Sequence, residues 1–361
     1  MRVATIHAPG DVRLDEVAEP ACGPDDVVVR VAACGLCGSD LGYVAAGGLA
    51  GPGAPMPLGH EIAGVVARVG SAVRGVAPGT PVVVNPMAAG NNIGNGGPEG
   101  GLAPYVLVRN AGRAAGVLPV PSHVPLERAA LAEPLAVALH AVHRAGPAAD
   151  DRVVVLGAGA IGLGVVWWLR RRGVRDVVVA DLAPARRALA LRFGARAAID
   201  PRERPLVAPQ ARPLVAPQAR PLFETLAELH GRGSVFGWPV VESNVWIDTA
   251  GAASLVGDVV GMAPVGARLV VVAVHHAPVP VDFRSLLAKE LTITAAIGYP
   301  TELPEVIAAL AEPGDPQAED RASVDELVSH YVDWPDVTGA LALARDHTRA
   351  RKVMVRFPGD A

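Results

Sequence analysis

The feature that most narrows the folds open to this chain is one junction. Val153-Val154-Val155-Leu156 has the character of a buried strand, Gly157-Ala158-Gly159-Ala160-Ile161-Gly162 follows it directly, and a mostly apolar helical pattern then runs over 161–172. A strand that turns through G-x-G-x-x-G into a helix is the start of a βαβ unit that cradles a dinucleotide. Gly157 permits the tight turn, Gly159 lets the backbone approach a pyrophosphate, and Gly162 lets the helix pack on the sheet. The helix opens at Ala160 and Ile161, where free N–H groups and the positive end of the dipole face the phosphates. Alone the motif is weak, but Asp181 ends the next strand, 24 positions after Gly157. Its carboxylate is placed for the hydroxyls of the adenosine ribose and would repel a 2′-phosphate, which favours NAD over NADP. Arg186 and Arg187 soften that preference, since a nearby arginine serves a phosphate.

Further strands are expected at 177–180, 197–199, 245–248, 269–273 and 291–295, with helices at 161–172 and 184–193. Strands alternating with helices imply a doubly wound parallel sheet of α/β type. The first third differs. Valine runs at 27–31, 62–69 and 81–84, broken by turn signals such as Pro78-Gly79, suggest an antiparallel, barrel-like domain. A helix at 303–311 and a strand at 353–357 could fold back onto it. The expected division is a catalytic domain over 1–148, completed by 285–361, and a nucleotide domain over 149–284. Within the latter, RPLVAPQA at 204–211 repeats at 212–219, and a third copy starts at Arg220-Pro221-Leu222. Proline every fourth residue opposes helix, so 204–221 is expected to be an exposed loop carrying a tandem duplication.

A net charge of −4 gives no basic field for nucleic acid, and no apolar run reaches the roughly 18 residues that span a membrane. The N-terminus lacks a secretory pattern, so a cytoplasmic, soluble protein is expected. Cys22, Cys34 and Cys37 are the three cysteines; an odd count in a reducing compartment argues against disulfides.

Cys37 lies in Cys34-Gly35-Leu36-Cys37-Gly38-Ser39-Asp40, His60-Glu61 follows Gly59, and Glu133 lies in Leu131-Ala132-Glu133-Pro134-Leu135. Thiolate, imidazole and carboxylate together suit a catalytic zinc, which keeps one position open for water or substrate. No spacing rule brings residues so far apart together. A lone cysteine is more often a small buried hydrophobe, the reading given to Cys34.

With these motifs in this order, the chain resembles the zinc-containing medium-chain dehydrogenase/reductase superfamily, above all its polyol branch of sorbitol, threonine and butanediol dehydrogenases. The resemblance covers nearly the whole chain. It is carried by Cys37-Gly38-Ser39-Asp40, Gly59-His60-Glu61 with Gly64, Glu133-Pro134-Leu135 and the glycine motif. Asp248-Thr249-Ala250-Gly251 and Lys289-Glu290-Leu291-Thr292 match more weakly. The resemblance implies a doubly wound parallel Rossmann sheet plus a discontinuous GroES-like β-barrel catalytic domain. It implies zinc on Cys37 and His60, Glu133 at the position where this branch carries a carboxylate, and Glu61 as a direct ligand or an exchanging neighbour. Ser39 would be the hydroxyl nearest the substrate alkoxide, and Lys352 a basic group near the cofactor pyrophosphate. The implied activity is hydride transfer between a secondary alcohol or polyol and NAD, in a homodimer or homotetramer.

Two departures stand out. Relatives carry a lobe of four cysteines for a structural zinc, whereas residues 90–101 here contain none, so one catalytic zinc alone is expected and the segment reads as a compact or mobile loop. Glu99 within it could face a substrate cleft or a subunit contact, or be plain loop. Relatives also often carry a proton-relaying histidine where this chain has Gly42. The competing readings are a zinc-independent quinone or enoyl reductase of the same superfamily and a non-catalytic nucleotide-binding relative.

Overall fold

A computed structural model of the chain describes residues 1–49, 54–112, 115–203, 220–313, 321–346 and 348–358. The chain separates into two compact units: Met1–Pro134 with Thr301–Gly314 and Val324–Ala361, and Leu135–Pro300 with Asp315–Ser323.

In the first unit, valine-rich segments form a seven-stranded sheet. Its order is His330–Asp333, Val353–Arg356, Val27–Gly35, Glu61–Val69, Pro81–Val84 and Val117–Pro119, with Tyr105–Val108 also paired to Val27–Gly35. The strand Val27–Gly35 is the hub, antiparallel to Glu61–Val69, to Tyr105–Val108 and to Val353–Arg356. Its inward side chains Val27, Val29 and Val31 join Ile62, Val66, Val82, Val84, Val353 and Val355 in one core. Burying a side chain of this size is worth about 1.5–3 kcal/mol, which holds a sheet assembled from distant segments. Arg2–Ala8, Asp11–Glu16 and Met56–Pro57 form a second, three-stranded sheet.

The second unit is a parallel sheet in the order Ala197–Ile199, Asp176–Ala180, Arg152–Leu156, Val245–Asp248, Arg268–Val271, Thr292–Ala295. The strand order reverses at Arg152–Leu156, the place where doubly wound folds bind ligands. The helix Pro184–Phe193 starts on proline, whose missing donor costs nothing in a first turn, and stops at Gly194 in the left-handed conformation.

Two expectations are corrected, and one element is new. The units part at 134/135 and 300/301 rather than 148/149 and 284/285. The body of the helix Ala132–Ala145 belongs with the nucleotide unit, where the Leu135 carbonyl accepts the Trp168 indole N–H at 2.9 Å, and Thr292–Ala295 is the sixth strand of that sheet. The third repeat copy does not extend the proline-rich loop. Arg220-Pro221-Leu222 opens the helix Arg220–His230, with Pro221 in the donor-free first turn and Leu222 and Phe223 buried. The two full copies, at 204–219, lie outside the described residues. A hairpin of Arg232–Val235 and Trp238–Val241, turning at Phe236-Gly237 with both φ positive, was not anticipated.

Among the described residues no helix is long and apolar enough to cross a membrane.

Candidate functional site

The hub strand Val27–Gly35 ends at Leu36 and Cys37, and Cys37 is the N-cap of the helix Gly38–Ala46. The cap is reciprocal: Asp40, three residues on, accepts the Cys37 backbone N–H at 2.8 Å. Across the sheet, register sets Gly35 opposite Glu61, which delivers His60 and Glu61 beside the cap. Gly59 makes that approach possible. Its φ is +93°, and a Cβ there would lie 2.7 Å from the Leu102 nitrogen and 2.8 Å from Cys34 Sγ.

The outcome is a cluster in which one ligand atom each from Cys37, His60 and Glu61 lies within 4.8 Å of the others. His60 and Glu61 are buried, and Cys37 is half-buried. The imidazole is held from both sides, with Nδ1 3.4 Å from Asp40 Oδ1 and Nε2 3.5 Å from Ser39 Oγ. Burial opposes a charge on His60, but Asp40 and Cys37 outweigh it and hold the pKa well above the ordinary imidazole value. Asp40 Oδ1 and His60 Nδ1 are buried facing each other, and Glu61 Oε2 is buried against the Lys352 ammonium. A thiol, an imidazole and a carboxylate that converge in this way form a donor set that suits a cation soft enough for sulfur and hard enough for oxygen.

Glu133 is buried in the first turn of the helix Ala132–Ala145 and stands outside this three-residue cluster. Its charge acts on Lys352. Lys352 itself differs from expectation. Its buried ammonium is ion-paired with Glu61 and donates to the Leu36 carbonyl at 3.1 Å. The cause is the pairing of Val353–Arg356 with Val27–Gly35, which seats residue 352 beside the Cys37 turn. Burial opposes its charge, but Glu61, Cys37 and Glu133 outweigh it and raise its pKa.

The cysteine-free segment 90–101 is a compact, internally bonded lobe. Gly94 N–H donates to Glu99 O at 2.8 Å, Gly97 N–H to Asn92 O at 2.9 Å and Gly101 N–H to Gly59 O at 2.8 Å. Ile93 is fully buried. Glu99 is ion-paired with Arg109 at 2.8 Å, and burial pushes its pKa up despite the arginine.

In the second unit the glycine motif forms the turn its residues predict. Gly157 has φ +97° and Gly159 is the N-cap of the helix Ala160–Arg171. A Cβ on Gly162 would lie 2.0 Å from the Gly157 carbonyl, whereas one on Gly159 meets nothing within 4 Å. The turn therefore presses the helix against the strand at Gly162 and leaves open space at Gly159, before Ala160 and Ile161. Asp181 follows the strand Asp176–Ala180 and accepts from Ala158 N–H and Ala183 N–H, both at 2.8 Å. An ionised carboxylate has about four acceptor sites, which leaves capacity for ribose hydroxyls. Arg187 is engaged with the Asp181 and Leu182 carbonyls, at 2.9 Å each, and with Asp200. Arg186 lies in the first turn of the helix Pro184–Phe193.

Sequence reasoning quoted Asp40 without giving it work, although the Cys37-to-Asp40 spacing is that of a capping box. It gave no role to Tyr43 or Asn95, whose side chains meet at 3.1 Å. It also missed Thr249, whose hydroxyl donates to the Leu156 carbonyl at 2.8 Å and so staples the next strand to the glycine turn.

Residues 23–122 match the family model for the alcohol dehydrogenase GroES-like domain, and residues 160–312 that for zinc-binding dehydrogenase. An (R,R)-butanediol dehydrogenase of Neisseria gonorrhoeae is 31% identical over 91% of this chain and 94% of its own length. Human sorbitol dehydrogenase is 35% identical over 53% of this chain and 57% of its own. A solved alcohol dehydrogenase from Escherichia coli CFT073, complexed with NADH, superposes with a TM-score of 0.80 at 26% identity, covering 99% of both chains.

Proposed function

The chain belongs to the zinc-containing medium-chain dehydrogenase/reductase superfamily, in its polyol branch, and from that premise we propose that it transfers a hydride between a secondary alcohol or polyol and NAD, using one zinc ion. The observation that carries the reading is the convergence of Cys37, His60 and Glu61. Butanediol and sorbitol dehydrogenases among the relatives support the substrate class, and the NADH-bound relative supports the nucleotide.

Cys37 and His60 hold the ion, with Glu61 and Glu133 as the carboxylates available to it. When bound, zinc supplies Lewis acidity toward a substrate oxygen. Asp40 fixes the orientation of the His60 ring, the task that outer partners of metal-binding histidines perform. Lys352 balances the Glu61 carboxylate, which otherwise is a buried charge without a counter-ion. Ser39, beside His60 Nε2, is placed to take the substrate's hydroxyl proton. In the other unit, the open backbone at Gly159 and the helix N-terminus at Ala160 and Ile161 receive the pyrophosphate, Asp181 reads the ribose, and Arg186 borders that site. A carboxylate at Asp181 discriminates against NADP. The exposed side chains of Phe283 and Leu287, on the helix Phe283–Lys289, and of Ile297, just after the edge strand Thr292–Ala295, support assembly as a homodimer or homotetramer.

The test joins metal analysis to NADH formation over a panel of secondary alcohols and polyols. The expected result is one zinc per chain, activity lost on its removal and restored on its return, and NAD preferred to NADP. Full activity of zinc-free protein refutes the metal role. Tight NAD binding with no turnover of any alcohol or ketone refutes the enzyme.

A further inference from the structure

Oxidising an alcohol releases a proton inside a buried site, and position 42, a glycine, has no side chain to carry it outward. The same helix supplies another route. Ser39 lies in the first turn of Gly38–Ala46, and Tyr43 lies four residues later, so the two share one helix face. One helical turn apart, the Ser39 hydroxyl lies close enough to the Tyr43 phenol to lower its pKa. The phenol in turn donates to Asn95 Oδ1 at 3.1 Å. Asn95 is fixed by its lobe, its backbone N–H donating to Asn92 O at 2.8 Å and its side-chain amide to Ile93 O at 3.4 Å. Tyr43 and Asn95 are each only partly buried, so the run of hydroxyls leads from beside buried His60 toward water. Burial pushes the Tyr43 pKa up, which keeps the phenol neutral and able to accept one proton as it gives another.

We propose that Tyr43, aligned by Asn95, carries the substrate's proton from Ser39 to solvent in place of a side chain at position 42. The inference rests on the dehydrogenase reading above. The alcohol O–H bond breaks and its proton joins Ser39 Oγ. Ser39's own proton passes to Tyr43 Oη, and the phenol's original proton leaves its hydrogen bond to Asn95 Oδ1 and passes to water. One proton leaves, no electrons move along the path, and both hydroxyls end neutral. Tyr43 touches the reaction only through Ser39, so it is a positioning and proton-carrying residue.

The experiment follows proton release by a pH indicator in stopped flow. Zinc- and NAD-loaded enzyme is mixed with trifluoroethanol, an electron-poor alcohol that binds but resists hydride loss. Tyr43→Phe is expected to release the same quantity of protons as wild type, about tenfold more slowly, with trifluoroethanol affinity kept within about twofold. On an oxidisable alcohol it lowers kcat and spares KM. Asn95→Ala slows release less than Tyr43→Phe does. Restoring a carrier at the vacant position, as Gly42→His in the Tyr43→Phe background, brings the rate back; a Cβ at 42 meets nothing within 4 Å, so the substitution starts without a backbone clash. Unchanged release kinetics in Tyr43→Phe overturn the proposal. So does slow release accompanied by lost affinity and not rescued by Gly42→His, which makes the Tyr43–Asn95 bond a structural tie alone. Wild-type enzyme that releases no proton and oxidises no alcohol overturns the dehydrogenase reading itself, and the relay with it.

Discussion

Asp40→Asn separates the two tasks of one carboxylate. The amide oxygen can still accept the Cys37 backbone N–H, so the helix cap survives. The charge facing His60 Nδ1 at 3.4 Å does not. For two full charges at that distance and an effective dielectric of about 20, Coulomb's law gives about 5 kcal/mol. A metal-bound imidazole is neutral overall and presents only its N–H dipole, on the order of a quarter charge, which scales the interaction to about 1.2 kcal/mol. That is close to a tenfold loss of zinc affinity, the lower end of the roughly 10- to 100-fold that removal of such partners costs. The amide nitrogen also sets a donor against a donor, so about tenfold is the minimum expected. Competition against a chromogenic chelator measures zinc affinity, and thermal melting of metal-free protein reports on the cap, where loss would cost about 1 kcal/mol. Zinc affinity within twofold of wild type in Asp40→Asn, while His60→Ala loses the metal, would refute the reasoning.

Gly162→Ala places a Cβ 2.0 Å from the Gly157 carbonyl; the helix must lift off the turn, destabilising by about 1–3 kcal/mol and weakening NAD in isothermal titration while zinc content stays unchanged. Lys289 is buried, donates to the Val260 and Gly261 carbonyls, and has its pKa pushed down to about 8 by burial. Because the unfolded chain then binds more protons above pH 8, stability attributable to Lys289 rises with pH through that range up to its ordinary pKa of about 10.4, with a ceiling of about 3 kcal/mol. Denaturant melts of wild type against Lys289→Met across pH 7–11 check this, and parallel pH curves contradict it. His230, hydrogen-bonded to Ser243 at 2.7 Å and to Asp176 at 3.2 Å, has its pKa lowered by burial. Its contribution is therefore present above the ordinary imidazole pKa of about 6.5 and is lost as pH falls below it, so His230→Asn should flatten the acid side of the stability curve.

The nucleotide unit was the more legible half of the sequence. Buried parallel strands are continuous apolar runs, and runs such as 153–156 and 245–248 come within a residue of the observed strands. The hairpin at 232–241 escaped notice because Gly231, Gly233 and Pro239 break the alternation that marks strands, and it is held instead by its turn. The helix Gly38–Ala46 escaped because Gly38 and Gly42 depress its propensity, while its cap and its packing through Val44 stabilise it. The ligand types were readable, but their meeting was not. It depends on the register that sets Gly35 opposite Glu61, and register is a property of the assembled sheet. Lys352 shows the same limit, since nothing local to it hints that its partner is Glu61.

That pairing ties the site to the order in which the chain is made. Glu61 and Lys352 are 291 residues apart, so at translation rates of about 5–20 residues per second the carboxylate waits about 15–60 s for its counter-ion. During that interval the nascent site offers an unbalanced acidic pocket next to a free thiol. Burial of Glu61 together with its counter-ion is thus a late event, and a nascent chain stalled short of residue 352 carries this carboxylate without its lysine.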